Sequence, residues 1–137
     1  MAQHATGTFD VKMAPQKPDS SVAEASGLAR MTLDKQFHGD LEAASKGEML
    51  SVMDRETGSG GYVAIERATG TLHERSGSFA LQHNATMTRG VPLMNIMVVP
   101  DSGTSELTGL SGTMTIRIEN GQHFYDFDFT LPEAPSH

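Results

Sequence analysis

A carboxylate and an imidazole, Glu66 and His83, are the side chains of this sequence best placed to do chemistry. They fall in two segments with strand-like alternation joined by a short turn, Gly61–His73 and Gly77–His83. Side by side on a mainly apolar wall, such a pair would serve as a general base with its orienting partner, or as polar anchors for a ligand. A structural ion pair is the alternative, and a one-residue slip would turn both side chains outward.

The register of this hairpin decides which residues share the wall. Alternate strand residues face the same side, and a turn centred on Glu74 and Arg75 places Glu66 directly opposite His83. The same register predicts three further pairs, which are Tyr62 with Met87, Ala68 with Leu81, and Gly70 with Phe79.

Further candidates for ligand contact are aromatic or apolar residues on the same inward faces. Tyr62, Phe79 and Leu81 flank Glu66 and His83, while His123 and Tyr125 share the interior face of the last predicted hairpin. A buried tyrosine with a paired hydroxyl is also common in cores. The six histidines show no ligand spacing, so neither a metal site nor a cofactor is expected; they are His4, His38, His73, His83, His123 and His137.

Composition limits the class of protein. The 137 residues, of which 37% are hydrophobic, support one domain with one core, residues 1–137. The formal charge of −7 disfavours nucleic acid as a partner, because phosphates require a basic surface. The sequence contains no apolar run of about 18 residues, which is the length that a membrane-spanning helix needs. The absence of cysteine excludes disulfides, and the absence of a secretory signal pattern favours a cytoplasmic protein.

Eight strand-like segments separated by turn residues predict an all-β fold. The clearest signal is Asn120-Gly121, because both residues tolerate the positive φ of a type I′ hairpin turn. Without strong helical periodicity, eight strands suit a closed antiparallel barrel or a two-sheet sandwich, and closure, which removes exposed edges, favours the barrel. The segment Val91–Val99 is almost entirely apolar, which predicts burial on both faces and therefore a homo-oligomer.

Four segments carry a resemblance to a known family: Phe37–Leu41, Gly61–Leu72, Arg75–His83 and Val99–Gly112. Together they resemble a bacterial family of unknown function whose fold is an eight-stranded barrel like that of allene oxide cyclase. The resemblance covers nearly the whole chain and implies a lipocalin-like closed barrel, with no assigned reaction to transfer to particular residues.

Three functional interpretations follow from these observations. The first is a small-molecule-binding barrel with an apolar lumen and a few polar anchors. The second is an isomerase or cyclase that acts on an apolar substrate with Glu66 as general base. The third is a non-catalytic oligomeric interaction protein that uses outward residues such as Val63 and Ile65.

Overall fold

The structure, a computed structural model, describes residues 2–132 and confirms the closed antiparallel barrel of eight strands. Each strand pairs with its neighbours in sequence, and the last strand closes the barrel against the first. The strands are β1 Ala2–Gln16, β2 Ala29–Gly39, β3 Leu41–Asp54, β4 Ser59–Leu72, β5 Arg75–Thr88, β6 Val91–Val98, β7 Ser111–Glu119 and β8 Gln122–Thr130; a short helix α1, Ser21–Ser26, and a 3₁₀ turn, Ser105–Leu107, lie in the connections.

The β7–β8 hairpin has the predicted turn. Asn120 and Gly121 adopt φ values of 51° and 78°, so both central residues are left-handed as a type I′ turn requires. Ile118 therefore lies opposite His123, as the sequence predicts.

The register predicted for the β4–β5 hairpin is wrong by two positions. Its turn is formed by His73 and Glu74, with φ values of 47° and 71°, although neither residue type signals such a turn. Glu66 consequently lies opposite Leu81, and His83 is its diagonal neighbour. Because the shift is even, every side chain keeps the face that the sequence predicted for it.

The interior of the barrel is packed at one end. The segment between β6 and β7 covers this end and inserts Leu107 and Leu110, which are 1% and 2% exposed. Aromatic rings fill the space above them, with the Phe79 and Phe127 rings stacked at a centroid distance of 5.9 Å. We call this region the packed half.

Strand β6 marks a weak seam in the barrel wall. It pairs with β5 along its whole length, but with β7 only at Ile96 and Met97. Ile96 is buried, whereas Val91 and Leu93 are 68% and 67% exposed. In the described chain the outer side of β6 is thus exposed, and the predicted burial of both faces, which requires an oligomer, stays a prediction.

Candidate functional site

Four polar side chains meet inside the barrel, and we call them the buried cluster. They are the residues with polar or charged side chains that are buried within residues 2–132, namely Lys35, Ser45, Glu66 and His83. Burial of charged groups is costly unless they are paired, so their collection at one place is the most unusual feature of the interior.

The buried cluster is centred on the carboxylate of Glu66. Lys35 Nζ donates to Glu66 Oε2 at 2.7 Å, and Ser45 Oγ donates to Oε1 at 2.8 Å. His83 Nε2 lies 2.8 Å from Oε2, so the contact predicted between Glu66 and His83 is present despite the different register. The N–H direction of His83 is poorly aligned with the carboxylate, and Nε2 therefore lacks a well-directed hydrogen bond within the described chain.

Four adjacent strands deliver these side chains to one place. Lys35 belongs to β2, Ser45 to β3, Glu66 to β4 and His83 to β5, each at an inward position. Gly47 lies opposite Glu66 on β3, where a Cβ atom would come within 2.7 Å of the Glu66 Cβ. The strands can therefore approach closely at this point only because residue 47 has no side chain.

Opposing effects act on the ionisation of Glu66. Burial alone would raise its pKa, but the contact with His83 and the positive charge of Lys35 outweigh this and lower the pKa to about 2. The carboxylate is thus ionised at neutral pH. Its side chain is 0% exposed, so Glu66 acts on its surroundings through Lys35 and His83.

Beyond the buried cluster, the barrel interior opens into a cavity of about 290 Å³. Lys35 and His83 line its inner end, whereas Glu66 and Ser45 lie behind them and do not reach it. Its remaining walls are mainly apolar, with Tyr62 and His123 as further polar residues; the apolar lining comprises Phe9, Val11, Met13, Leu33, Met49, Ala64, Met94, Ile116 and Ile118.

The predicted ligand-contact residues separate into two groups. Tyr62 and His123 line the cavity. Phe79, Leu81 and Tyr125 are 1%, 0% and 1% exposed, lie in the packed half and do not line the cavity. They share the inward faces of their strands, but they lie nearer the covered end of the barrel.

Tyr125 has a structural role in the packed half. Its hydroxyl accepts a hydrogen bond from the backbone N–H of Leu41 at 2.9 Å and lies 3.0 Å from the carbonyl oxygen of His38. Burial raises the pKa of Tyr125 to about 12, so the hydroxyl keeps its proton. The residue thereby ties β8 to the β2–β3 turn.

Lys35 and Ser45 were not among the sequence candidates. The signal was nevertheless present, because Lys35 falls between Leu33 and Phe37 in an alternating apolar pattern. Ser45 follows Leu41 and Ala43 in the same way on β3. A lysine at an inward position of a strand is seldom buried without a partner, and this could have directed attention to Glu66 from the opposite side.

The described residues also bear on metal binding and on membrane-spanning helices. Within residues 2–132, no group of three or more His, Asp or Glu side chains is arranged to hold a metal ion, and His137 lies outside the described residues. In the same part of the chain, helices are too short or too polar to cross a membrane.

Comparisons with known proteins agree with this architecture. A crystal structure of a protein of unknown function from Shewanella oneidensis MR-1, belonging to the DUF3224 family, superposes with a TM-score of 0.87. The two sequences are 51% identical over 97% of this chain and 100% of the other. A search of curated proteins finds no match. The profile of the family described as protein of unknown function (DUF3224) matches residues 5–129, and the chain therefore belongs to the DUF3224 family.

Proposed function

We propose that this protein binds a small, mainly apolar molecule inside the barrel, with Lys35 and His83 as polar anchors. The observation that carries the proposal is the pair of buried polar side chains at the inner end of a mainly apolar cavity. Apolar walls with a few converging polar groups are the usual composition of small-molecule sites.

Stability alone gives little reason to keep these charges in the core. A buried ion pair is often no more stabilising than apolar residues of similar volume. In this protein the Lys35–Glu66 pair lies beside a cavity, where one of its members is available to a ligand. A ligand-binding role explains why the protein tolerates the free-energy cost of burying the pair and why the pair lies beside the cavity.

The cavity limits the size of the ligand. Its volume of about 290 Å³ corresponds to roughly ten water molecules, at ~30 Å³ each. Three methionines, Met13, Met49 and Met94, form part of the wall. Because methionine side chains adapt to irregular shapes, we expect the site to accept a family of related molecules.

Glu66 is a positioning residue in this proposal. Both of its oxygens already have partners, its side chain is fully enclosed, and its pKa of about 2 makes it a weak base at neutral pH. A general base needs direct access to the proton it removes and a pKa near the working pH. These properties favour binding over the isomerase or cyclase in which Glu66 is the base.

Methionine-methyl NMR tests the proposal with a neutral probe. On titration with 1-octanol, the methyl signals of Met13, Met49 and Met94 should shift and saturate, since all three line the cavity. The signal of Met97 should stay unchanged, because Met97 lies on the outer face of β6.

A cavity-filling variant gives the matched control. Met94→Trp should abolish the shifts of Met13 and Met49 by occupying the lumen, whereas Met97→Trp, on the other face of the same strand, should leave them intact. Octanol shifts confined to Met97, or equal shifts in the two variants, would place the binding outside the lumen and refute the proposal.

A further inference from the structure

We propose that the ligand carries an anionic oxygen, such as a carboxylate, on an apolar body, and that Lys35 and His83 donate hydrogen bonds to that oxygen. This inference rests on the proposed function and adds the chemical class of the ligand. It follows from the N–H groups of Lys35 and His83 that lack a well-directed hydrogen bond within the described chain.

Lys35 is the main donor. An ammonium group has three N–H bonds and no acceptor, and in the described chain one of them is used, on Glu66. The rings of Phe9 and Phe37 lie beside the ammonium, at 5.1 and 5.8 Å from Nζ to the ring centroids. Aromatic faces attract a cation without accepting conventional hydrogen bonds, so in the described chain the remaining N–H groups are left for a ligand oxygen.

His83 adds a second donor at the same place. The 2.8 Å distance between its Nε2 and Glu66 Oε2 requires a proton on that nitrogen, because two lone pairs would repel each other at this distance. The proton is poorly directed towards the carboxylate, although the residue is only 3% exposed. A ligand oxygen placed between Lys35 and His83 would give both donors a partner.

The distribution of charge around the cavity argues against a cationic ligand. Glu66 is ionised and pairs with the ammonium of Lys35, whose remaining N–H groups are suited to an oxygen that carries negative charge. Glu66 is enclosed, and in the described chain the cavity lining contains neither Asp nor Glu. A cationic ligand would therefore find no free carboxylate.

Tyr62 contributes a further donor on the cavity wall. Burial and the negative charge of Glu66 raise the pKa of its phenol, which therefore stays protonated. With Lys35 at the inner end and Tyr62 on the wall, the polar groups of the cavity are suited to acceptor oxygens.

Isothermal titration with three probes of equal chain length tests the inference: octanoate, 1-octanol and octylamine. Octanoate should bind roughly tenfold or more tightly than octanol, since a hydrogen bond between two charged groups is stronger than one with a neutral partner. Octylamine should bind more weakly than octanol.

Variants of Lys35 test whether this residue causes the preference for octanoate over octanol. Lys35→Met should reduce octanoate binding to the level of octanol. The double variant Lys35→Met/Glu66→Gln removes both charges of the pair and guards against misfolding of the single variant; it should show the same loss. Octanol binding should fall by less than octanoate binding in the double variant, because neutral octanol loses no interaction between opposite charges.

The outcomes separate the two proposals. Octanol binding without a preference for octanoate, or a preference that survives in the double variant, overturns the anionic ligand and leaves the lumen site standing. Failure of all three probes to bind overturns both.

Discussion

At the scale of single residues, Glu66 occupies a position where burial alone would favour a leucine. Its side chain is fully enclosed, and its carboxylate has three polar neighbours on three other strands. Removing one member of such a group leaves another buried and unpaired, which is more costly than losing a surface ion pair.

Glu66→Gln should therefore destabilise the protein by about 3–5 kcal/mol, because the ammonium of Lys35 would lose its counter-ion. Glu48→Gln is the matched control: Glu48 pairs with Arg30 at the surface, with its side chain 57% exposed, and its loss should cost less than about 1 kcal/mol. Urea unfolding of both variants measures the difference. Equal losses of stability would show that the buried pair contributes no more than an exposed one.

The pKa of Glu66 also predicts how stability depends on pH. Its pKa lies near 2 in the folded protein and near 4.5 for an ordinary glutamate, so in this interval the unfolded chain binds more protons. The stabilisation is complete above about pH 4.5 and is lost as the pH falls towards 2; it amounts to roughly 3 kcal/mol. Unfolding curves from pH 6 to 2.5 should fall more steeply for the wild type than for Glu66→Gln, and parallel curves would contradict the assignment.

Sequence reasoning identified Glu66 and His83 but missed Lys35, and the reason is physical. The face of a strand follows from alternation, and Glu66 and His83 stay neighbours when the register of the hairpin shifts by two positions. Lys35 reaches Glu66 from β2, across β3. That contact depends on two further registers, which alternation alone does not provide.

At the scale of secondary-structure elements, the turns show where the local sequence is enough to predict the structure and where it is not. The Asn120-Gly121 turn was predictable because these residue types adopt positive φ at low cost. His73 and Glu74 adopt positive φ as well, but their residue types give no warning of it. Tertiary pairing of β4 with β5 imposes that turn.

Gly121→Ala tests the β7–β8 turn. Gly121 has a φ of 78°, and nothing within 4 Å would touch an added Cβ, so the cost comes from backbone strain alone. We expect a loss of about 1 kcal/mol. Gly121→Asn, which tolerates the left-handed region, should cost less. A melting temperature unchanged by the alanine substitution would show that the turn is wrongly placed.

At the scale of the whole molecule, the outer surface of the barrel carries an unusual number of apolar side chains. Leu50, Val52, Val63 and Ile65 are 41–58% exposed on adjacent strands β3 and β4, and we call them the outer apolar strip. A shallow groove of about 700 Å³ runs over part of this strip. Contiguous apolar surface of this kind typically marks an interface.

We therefore expect the protein to form a dimer through the outer apolar strip. Sedimentation at micromolar concentration should give a dimer for the wild type and a monomer for Ile65→Glu, which places a charge in the strip. Val22→Glu is the control, because Val22 is 78% exposed on α1 and lies outside the strip. A wild-type protein that sediments as a monomer would contradict the oligomer.

Sequence reasoning could not predict how far along the barrel axis an inward residue lies. Phe79 and Leu81 share the inward face with His83, yet they lie in the packed half, whereas His83 reaches the cavity. The difference depends on strand stagger and on the β6–β7 connection, which inserts Leu107 into the covered end of the barrel. These are properties of the closed barrel as a whole.

A crystal structure of the protein grown with octanoate tests the central claim most directly. The account predicts the alkyl chain in the cavity among Met13, Met49 and Met94, and the carboxylate within hydrogen-bonding distance of Lys35 Nζ and His83. Octanoate found only on the outer surface, or a lumen without ligand at a saturating concentration, would contradict it.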